Sequence, residues 1–309
     1  MIKSFIRNIL YFSLFSFVII AVFSAINLYC INTKIVNIEN FKLDKDVKTL
    51  LIGDSHVGLS LSPNYIPNSS NQYIDGEHYL FTYFRLVNFI EANPQIETVV
   101  LGFSYKNIAV DSDGSLFTSH KKNSSFSKYF MLLGEEECQL LYSNDLIYFR
   151  NYLGWKWGVP TKDNMPLILK TNKTNFDKSI LPFIGHWSEN KKNDELQNFK
   201  GALWHFKEEV RLSDISVEYL YKMIDLCKSN DIDLILYTSP LHPIYYDLIP
   251  SFYKESFFSL RSSIVDEYNL RFIDYSNEKM SNSYYFDGNH LSGAGAKYIS
   301  VKVAEDILD

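Results

Sequence analysis

The sequence has little cysteine, and its three cysteines follow no recognisable pattern. Cys30, Cys138 and Cys227 show neither the CxxC spacing of metal and redox sites nor the spacing of a disulfide framework. Cys30 also ends a hydrophobic segment, which leaves at most one pair in the rest of the chain. A disulfide-rich scaffold is therefore excluded.

Two further absences narrow the function classes. After the first few residues the chain has no long basic block, and its net charge is −6, so the electrostatic surface of a nucleic-acid-binding protein is missing. No pair of histidines has a metal-ligand spacing such as His-x-x-x-His. We therefore expect no nucleic-acid partner, no metal and no cofactor.

What remains is the composition of a globular protein. Hydrophobic residues make up 46% and charged residues 21% of 309 residues, which predicts one soluble domain with a sizeable core, plus an anchor. Aromatic residues reach 16%. They either fill the core or form a sugar-binding surface, and the composition leaves both interpretations open.

An apolar segment near the N-terminus predicts the anchor. Residues 9–29 carry no charge, and a helix of about 20 apolar residues spans the roughly 30 Å of a bilayer's hydrocarbon core. We predict a transmembrane helix or uncleaved signal anchor, because Phe23-Ser24-Ala25 matches a cleavage site poorly. Lys3 and Arg7 precede the segment, which predicts a single-pass protein of the cell membrane with a cytoplasmic N-terminus and an extracytoplasmic remainder.

The chain divides into three predicted parts. Residues 1–31 are the cytoplasmic tip and the transmembrane anchor, 32–46 are a polar tether, and 47–309 are a single domain. Regular alternation is lost over about 111–211. We interpret this stretch as a partly helical insertion that covers or shapes the rim of the active site.

Strands and helices alternate in the rest of the domain. The predicted strands are Thr49–Ile52, 98–103, 232–238 and 270–274, and the predicted helices are 81–93, 213–230 with Ser213 as N-cap, 250–268 and 292–307. This alternation predicts a parallel sheet with helices on both faces, a three-layer α/β/α sandwich.

Two short motifs carry the candidate chemistry. Gly53-Asp54-Ser55 directly follows the first predicted strand, and Asp287 and His290 stand just before the last predicted helix. A serine hydroxyl becomes a good nucleophile when an imidazole takes its proton, and a carboxylate at the other ring nitrogen orients that imidazole. We predict Ser55 as nucleophile, His290 as base and Asp287 as its partner. The alternative is that Asp287 caps the terminal helix and His290 is merely exposed.

On the motifs Gly53-Asp54-Ser55 and Asp287-x-x-His290 the chain resembles the SGNH or GDSL hydrolase superfamily. The resemblance implies a three-layer α/β fold of the SGNH hydrolase type and a serine esterase or O-acyltransferase activity. It also implies that the first motif is the nucleophile block and that the second supplies both other members of the triad.

The superfamily's oxyanion hole is matched only in part. The resemblance implies donors from the backbone N–H of Ser55, from a glycine that Gly76 fits by position, and from the asparagine of a Gly-x-Asn-Asp block. No such block follows the predicted strand 98–103, and Asn107 and Ser104 are the candidates to replace its asparagine. Losing one donor costs about 100- to 1000-fold in rate, so the departure leaves room for a slow or inactive site.

Four polar residues are candidates for the lining of the pocket. Asp54, His56 and Ser104 lie beside the motifs already named, and His242 follows the predicted strand 232–238 at its carboxyl end, where sites form in parallel sheets. For His242 a structural or surface role is the alternative. His56 points away from Ser55 if the turn between them is extended, whereas a tight turn brings it back.

One anchor followed by an extracytoplasmic domain of this kind resembles the accessory proteins of cell-envelope acylation, such as those of alginate O-acetylation and of D-alanyl transfer to teichoic acids. That resemblance implies acyl transfer, commonly of acetyl groups, on an envelope polysaccharide or other acylated glycan, with a multi-spanning membrane acyltransferase as partner. The alternative is a catalytically weak glycan-binding or scaffold component of an envelope polysaccharide assembly complex.

Overall fold

The computed structural model describes residues 2–117, 126–143, 145–173, 176–189, 205–206 and 211–308. The chain forms two compact units, residues 1–40 with 120–184 and residues 41–119 with 185–309. Ser55 and His290 both belong to the second unit. Of the predicted insertion 111–211, residues 118–125, 144, 174–175, 190–204 and 207–210 lie outside the described residues.

The described helices are named here in chain order. They are α1 (Ile2–Cys30), α2 (Ser55–Gly58), α3 (Tyr79–Ala92), α4 (Gly114–Phe117), α5 (Glu135–Tyr142), α6 (Leu146–Lys156), α7 (Met165–Thr171), α8 (Asp214–Ser229), α9 (Pro243–Leu248), α10 (Ser251–Tyr268) and α11 (Gly293–Leu308).

The second unit is built on a parallel sheet, which confirms the predicted α/β fold. Among the described residues the sheet has five strands in the order β2-β1-β3-β4-β5. Their bounds are β1 (Thr49–Ile52), β2 (Ser69–Asn71), β3 (Thr98–Gly102), β4 (Asp233–Thr238) and β5 (Arg271–Asp274). Strand β2 was not predicted, because a short polar edge strand shows no hydrophobic alternation and resembles a loop.

Helices cover both faces of this sheet. On one face α11 and the turn at α2 bury a cluster that includes Leu51, Val100, Ile235 and Ile299. The alternate positions of the strands point to the other face, where α3 packs on α8 and Phe103 stacks on Phe257 of α10, with ring centroids 4.6 Å apart. The three-layer arrangement therefore follows from strands that are apolar on both sides.

Helix ends in this unit follow the capping chemistry of the sequence. The Ser213 side chain accepts a hydrogen bond from the N–H of Ser216 at 2.8 Å, which confirms it as the N-cap of α8. Helix α3 begins at Tyr79, earlier than the predicted 81, because the His78 ring accepts from the N–H of Leu80 and caps it. Both caps satisfy backbone donors that a helix start leaves unpaired.

Among the described residues of the first unit, one helix is long and apolar enough to cross a membrane, with a mean hydropathy of 2.5 in its most apolar window. Most of α1 is exposed, but Asn27 and Cys30 at its end are buried. The segment predicted as a tether, 32–46, is not extended throughout: helical turns occupy Ile31–Ile35 and Ile38–Phe41. Of the predicted insertion, 120–184 groups with residues 1–40.

Candidate active site

The turn after β1 presents Ser55 at the carboxyl end of the sheet. Gly53 has φ +143°, a conformation that side chains rarely adopt, and an added Cβ would lie 3.3 Å from the backbone nitrogen of Gly102. The Asp54 carboxylate then caps α2 by accepting from the N–H of His56 at 3.0 Å. The serine is therefore the first helical residue after a tight strand-to-helix turn.

A second loop, just before α11, brings the histidine to this serine. Ser55 Oγ lies 2.8 Å from His290 Nε2, and His290 Nδ1 lies 2.9 Å and 3.0 Å from the two carboxylate oxygens of Asp287. The same carboxylate accepts from the backbone N–H groups of Asn289 and His290, at 3.0 and 2.8 Å. The structure thus brings the three predicted residues together in the geometry of a serine, base and carboxylate array.

The electrostatics of this array favour a neutral imidazole beside an ionised carboxylate. Burial alone would raise the pKa of the Asp287 carboxyl, but the hydrogen bond and charge of His290 lower it below its ordinary value. Burial lowers the pKa of His290, Asp287 opposes that shift, and His56 adds to it. A neutral His290 can accept the Ser55 proton at Nε2, while its Nδ1–H donates to Asp287.

A buried series of hydrogen-bonded polar side chains also lies beside the serine. His56 Nδ1 lies 3.1 Å from the Asp54 carboxylate, and His56 Nε2 lies 3.1 Å from Asn289 Nδ2. Burial alone would raise the pKa of Asp54, but His56 lowers it far below its usual range. An ionised carboxylate only accepts hydrogen bonds, so His56 Nδ1 donates to Asp54.

This series of side chains ends next to His290, the candidate base. Asn289 Nδ2 is also 3.5 Å from His290 Nε2, and the rings of His56 and His290 stack with centroids 5.4 Å apart. The structure therefore places the candidate pocket residues Asp54 and His56 directly beside the triad. Asn289 was not predicted; its one signal in the sequence was its place inside the Asp287-x-x-His290 motif.

The candidate oxyanion donors occupy two loops. Gly76 has φ +63°, and the loop that carries it is tied to the nucleophile turn because the N–H of Ile74 donates to the Gly53 carbonyl at 3.0 Å. The next residue, Glu77, forms a fully buried ion pair of 2.5 Å with Arg85 of α3. The glycine loop is therefore fixed on both sides of Gly76.

Asn107 and Ser104 form a turn of their own after β3. Asn107 Oδ1 accepts from the backbone N–H and the hydroxyl of Ser104, at 3.0 and 2.7 Å, and Asn107 Nδ2 donates to Asp54 at 3.1 Å. All three residues are buried. One of the two amide hydrogens of Asn107 is thus directed at Asp54, and the side chain helps to hold that carboxylate.

Two more histidines border this region. His242 is buried and caps α9: its Nδ1 accepts from the N–H of Ile244 at 3.3 Å, and its Nε2 lies 3.2 Å from Asn282 Oδ1. His205, which no sequence motif marked as a candidate, lies 2.7 Å from the Tyr245 hydroxyl. Burial, with a contribution from the charge of Lys106, lowers the pKa of His205 to about 3, so this imidazole is neutral at pH 7.

Comparisons with known proteins find solved structures of low similarity to this chain. No curated protein matches the chain, and one family model matches residues 188–309, less than half of it. A candidate acylhydrolase from Bacteroides fragilis NCTC 9343 is 13% identical, with a TM-score of 0.38, over 87% of this chain and 91% of that one. A GDSL-like lipase from Bacteroides thetaiotaomicron VPI-5482 is 11% identical, with a TM-score of 0.38, over 88% of this chain and 100% of that one. The chain is similar to these two proteins at this distance, and the geometry around Ser55 is the better guide to its chemistry.

Proposed function

We propose that this protein is a serine esterase or O-acyltransferase that acts on acyl groups, chiefly acetyl, of a cell-envelope polysaccharide. The observation that carries the proposal is the continuous array from Ser55 Oγ through His290 to the Asp287 carboxylate, with contacts of 2.8 and 2.9 Å. A buried serine hydroxyl on a neutral imidazole that is itself oriented by a carboxylate is suited to attack an ester carbonyl.

The reaction begins when Ser55 Oγ attacks the acyl carbonyl carbon and its proton passes to His290 Nε2. Asp287 stabilises the imidazolium through Nδ1–H, and the N–H groups of Ser55 and Gly76 stabilise the oxyanion. Collapse of the tetrahedral intermediate breaks the ester bond, and the leaving alcohol takes the proton from His290. Water or a sugar hydroxyl then attacks the acyl-serine as its proton passes to His290, and His290 returns that proton to Ser55 Oγ when the acyl–serine bond breaks.

The membrane setting belongs to the same proposal. Its support is the apolar α1 together with Lys3 and Arg7 before it, which favour a cytoplasmic N-terminus and an extracytoplasmic catalytic unit. A glycan at the cell surface is then the acyl acceptor or donor within reach. A multi-spanning membrane acyltransferase that delivers the acyl group is the proposed partner.

One observation favours the alternative, a catalytically weak glycan-binding or scaffold protein. Asn107 donates to Asp54 at 3.1 Å, which directs one of its amide hydrogens away from the oxyanion role expected of it. A site with two backbone donors is slower by about 100- to 1000-fold than one with three. The activity assay therefore needs a second, more sensitive readout in addition to the turnover rate.

The test uses the full chain in detergent micelles. We expect p-nitrophenyl acetate hydrolysis and labelling of Ser55 by a serine-directed phosphonate, located by mass spectrometry of the tryptic peptide. Ser55→Ala and His290→Gln should each lower kcat by about 1000-fold or more, whereas Ser229→Ala, at an exposed serine that ends α8, should change nothing. Absence of both hydrolysis and labelling in the wild-type protein would favour the scaffold alternative.

A further inference from the structure

The outer face of helix α6 is apolar and exposed. The helix buries one side, made of Tyr148, Asn151, Gly154 and Trp155, against α5 and the turn at 126–131. At 100° per residue, a different set falls within one 80° sector on the opposite side. We call this set the α6 outer face; it consists of Leu146, Phe149, Leu153 and Trp157.

This face is more exposed than apolar side chains of a helix usually are. Leu146 is 84%, Phe149 42% and Trp157 61% exposed, and Leu153 is half-buried. The apolar side of a helix normally faces a core or another apolar environment. Within the described residues of the first unit, α6 is covered on one side alone, so the outer face calls for an apolar environment outside this unit.

The α6 outer face ends next to the last turns of α1, and this position indicates what that environment is. Gly158 follows Trp157 directly, has φ +69°, and packs so closely on α1 that an added Cβ would collide with the Ser24 carbonyl. The buried Asn27 side chain donates to the Gly158 carbonyl at 3.0 Å. The end of α6 is thereby fixed to the last turns of the apolar helix, at the level where a spanning α1 leaves the hydrocarbon core.

The chemistry of the surface fits the boundary between headgroups and acyl chains. Tryptophan is enriched at that boundary because its ring is apolar and its N–H is polar. Leu169 of α7, a helix that packs on the Ile31–Ile35 turn just beyond α1, adds a further side chain that is 63% exposed. Arg150, on the same side of α6, is paired with Asp163 at 2.7 Å, so apolar insertion rather than net positive charge drives the contact.

We propose that the α6 outer face, with Trp157 at its end, inserts into the interfacial region of the bilayer that α1 crosses. The proposal rests on membrane anchoring by α1, and the partner is the lipid itself. A segment of this kind buries its apolar side by about 5–10 Å at the boundary of headgroups and acyl chains. The first unit is then attached to the membrane by a spanning helix and by a surface contact.

The test places an environment-sensitive NBD label on single new cysteines of the full chain, reconstituted in phosphatidylcholine vesicles. Cys30, Cys138 and Cys227 are buried and stay unlabelled under native conditions. Leu146→Cys and Trp157→Cys probe the face. Leu308→Cys, at a leucine that is 82% exposed at the end of α11, is the matched control, and Phe12→Cys reports on α1.

We expect NBD at 146 and 157 to emit as in an apolar medium and to be quenched by doxyl-labelled lipid, while NBD at 308 emits as in water. Water-like emission at 146 and 157 with lipid quenching at 12 would overturn the surface contact and leave the anchor intact. Emission that is apolar but insensitive to doxyl lipid, and that weakens on dilution with empty lipid, would replace the bilayer with a second copy of the chain. No quenching at 12 would refute anchoring itself, and with it this proposal.

Discussion

The buried pair of Asp54 and His56 predicts how the pH profile of the enzyme responds to a single substitution. In the proposed mechanism the neutral form of His290 is the base, so kcat/KM should fall on the acid side as His290 becomes protonated. Its pKa is lowered from an ordinary value of 6.5, so wild-type activity persists below that pH. When His56 is protonated, its charge lowers the pKa of His290, so His56→Gln should raise that pKa and move the acid limb to higher pH.

The distance between the two rings sets the size of this shift. At the 5.4 Å between ring centroids, two unit charges repel by about 3 kcal/mol at an effective dielectric constant of about 20, and by about 0.8 kcal/mol at that of water. One pKa unit corresponds to about 1.4 kcal/mol. We therefore expect an upward shift of about 0.5 to 2 pH units, and the Asp54 carboxylate left behind acts in the same direction.

The measurement is kcat/KM for p-nitrophenyl acetate from about pH 4.5 to 8, with the full chain in detergent. His186→Gln, at an exposed histidine of the same unit, is the matched control and should keep the wild-type profile. The glutamine amide can still donate to Asp54, so a large loss of folded protein is not expected. An acid limb that stays in place, or that moves to lower pH, would refute the electrostatic reasoning.

Three further predictions concern residues around the triad. Asp287→Asn should lower kcat by about 1000- to 10000-fold with an unchanged circular dichroism spectrum, because the amide favours the wrong imidazole tautomer; a loss under tenfold would remove Asp287 from the mechanism. Asn289→Asp should move the acid limb of the kcat/KM profile to higher pH, because it puts a carboxylate where an amide lies 3.5 Å from His290 Nε2. An unchanged limb would show that residue 289 does not affect the pKa of His290. Glu77→Ala or Arg85→Ala should each lower the free energy of unfolding by about 3–5 kcal/mol in urea titrations, because each substitution removes one partner of a buried ion pair. The double substitution Glu77→Leu with Arg85→Met should lower it by less, and equal losses would contradict this account.

The sequence predicted the parts of the fold that have strong local signals. Thr49–Ile52 is a strand with the predicted bounds, and α10 and α11 begin and end within a residue or so of expectation. Their apolar residues recur at the period of the element that buries them, and this period is visible in a single sequence. The edge strand β2 has no such period, since Ser69–Asn71 is held by backbone pairing with β1 rather than by side-chain burial.

The site was predictable where the chemistry is local and hidden where it depends on contacts between distant residues. Asp287 and His290 are three residues apart, and this spacing, together with their place before the last helix and the resemblance of the motif, suggested a pair. The contact between Asn289 and His56 joins residues 233 positions apart, and no local sequence pattern predicts it. The same holds for Asn107, whose amide meets Asp54 across 53 positions.

The division of the chain into two units also governs the order in which a nascent molecule can be completed. Residues 1–40 and 120–184 form one unit, so that unit can close before β4 and β5 have been synthesised. Ser55 and His290 are 235 positions apart, and the nucleophile therefore leaves the ribosome long before its base. A chain that stops short of Asp287 carries Ser55 without the imidazole that is proposed to activate it. Under the proposed function, stalled or truncated molecules would have no esterase activity.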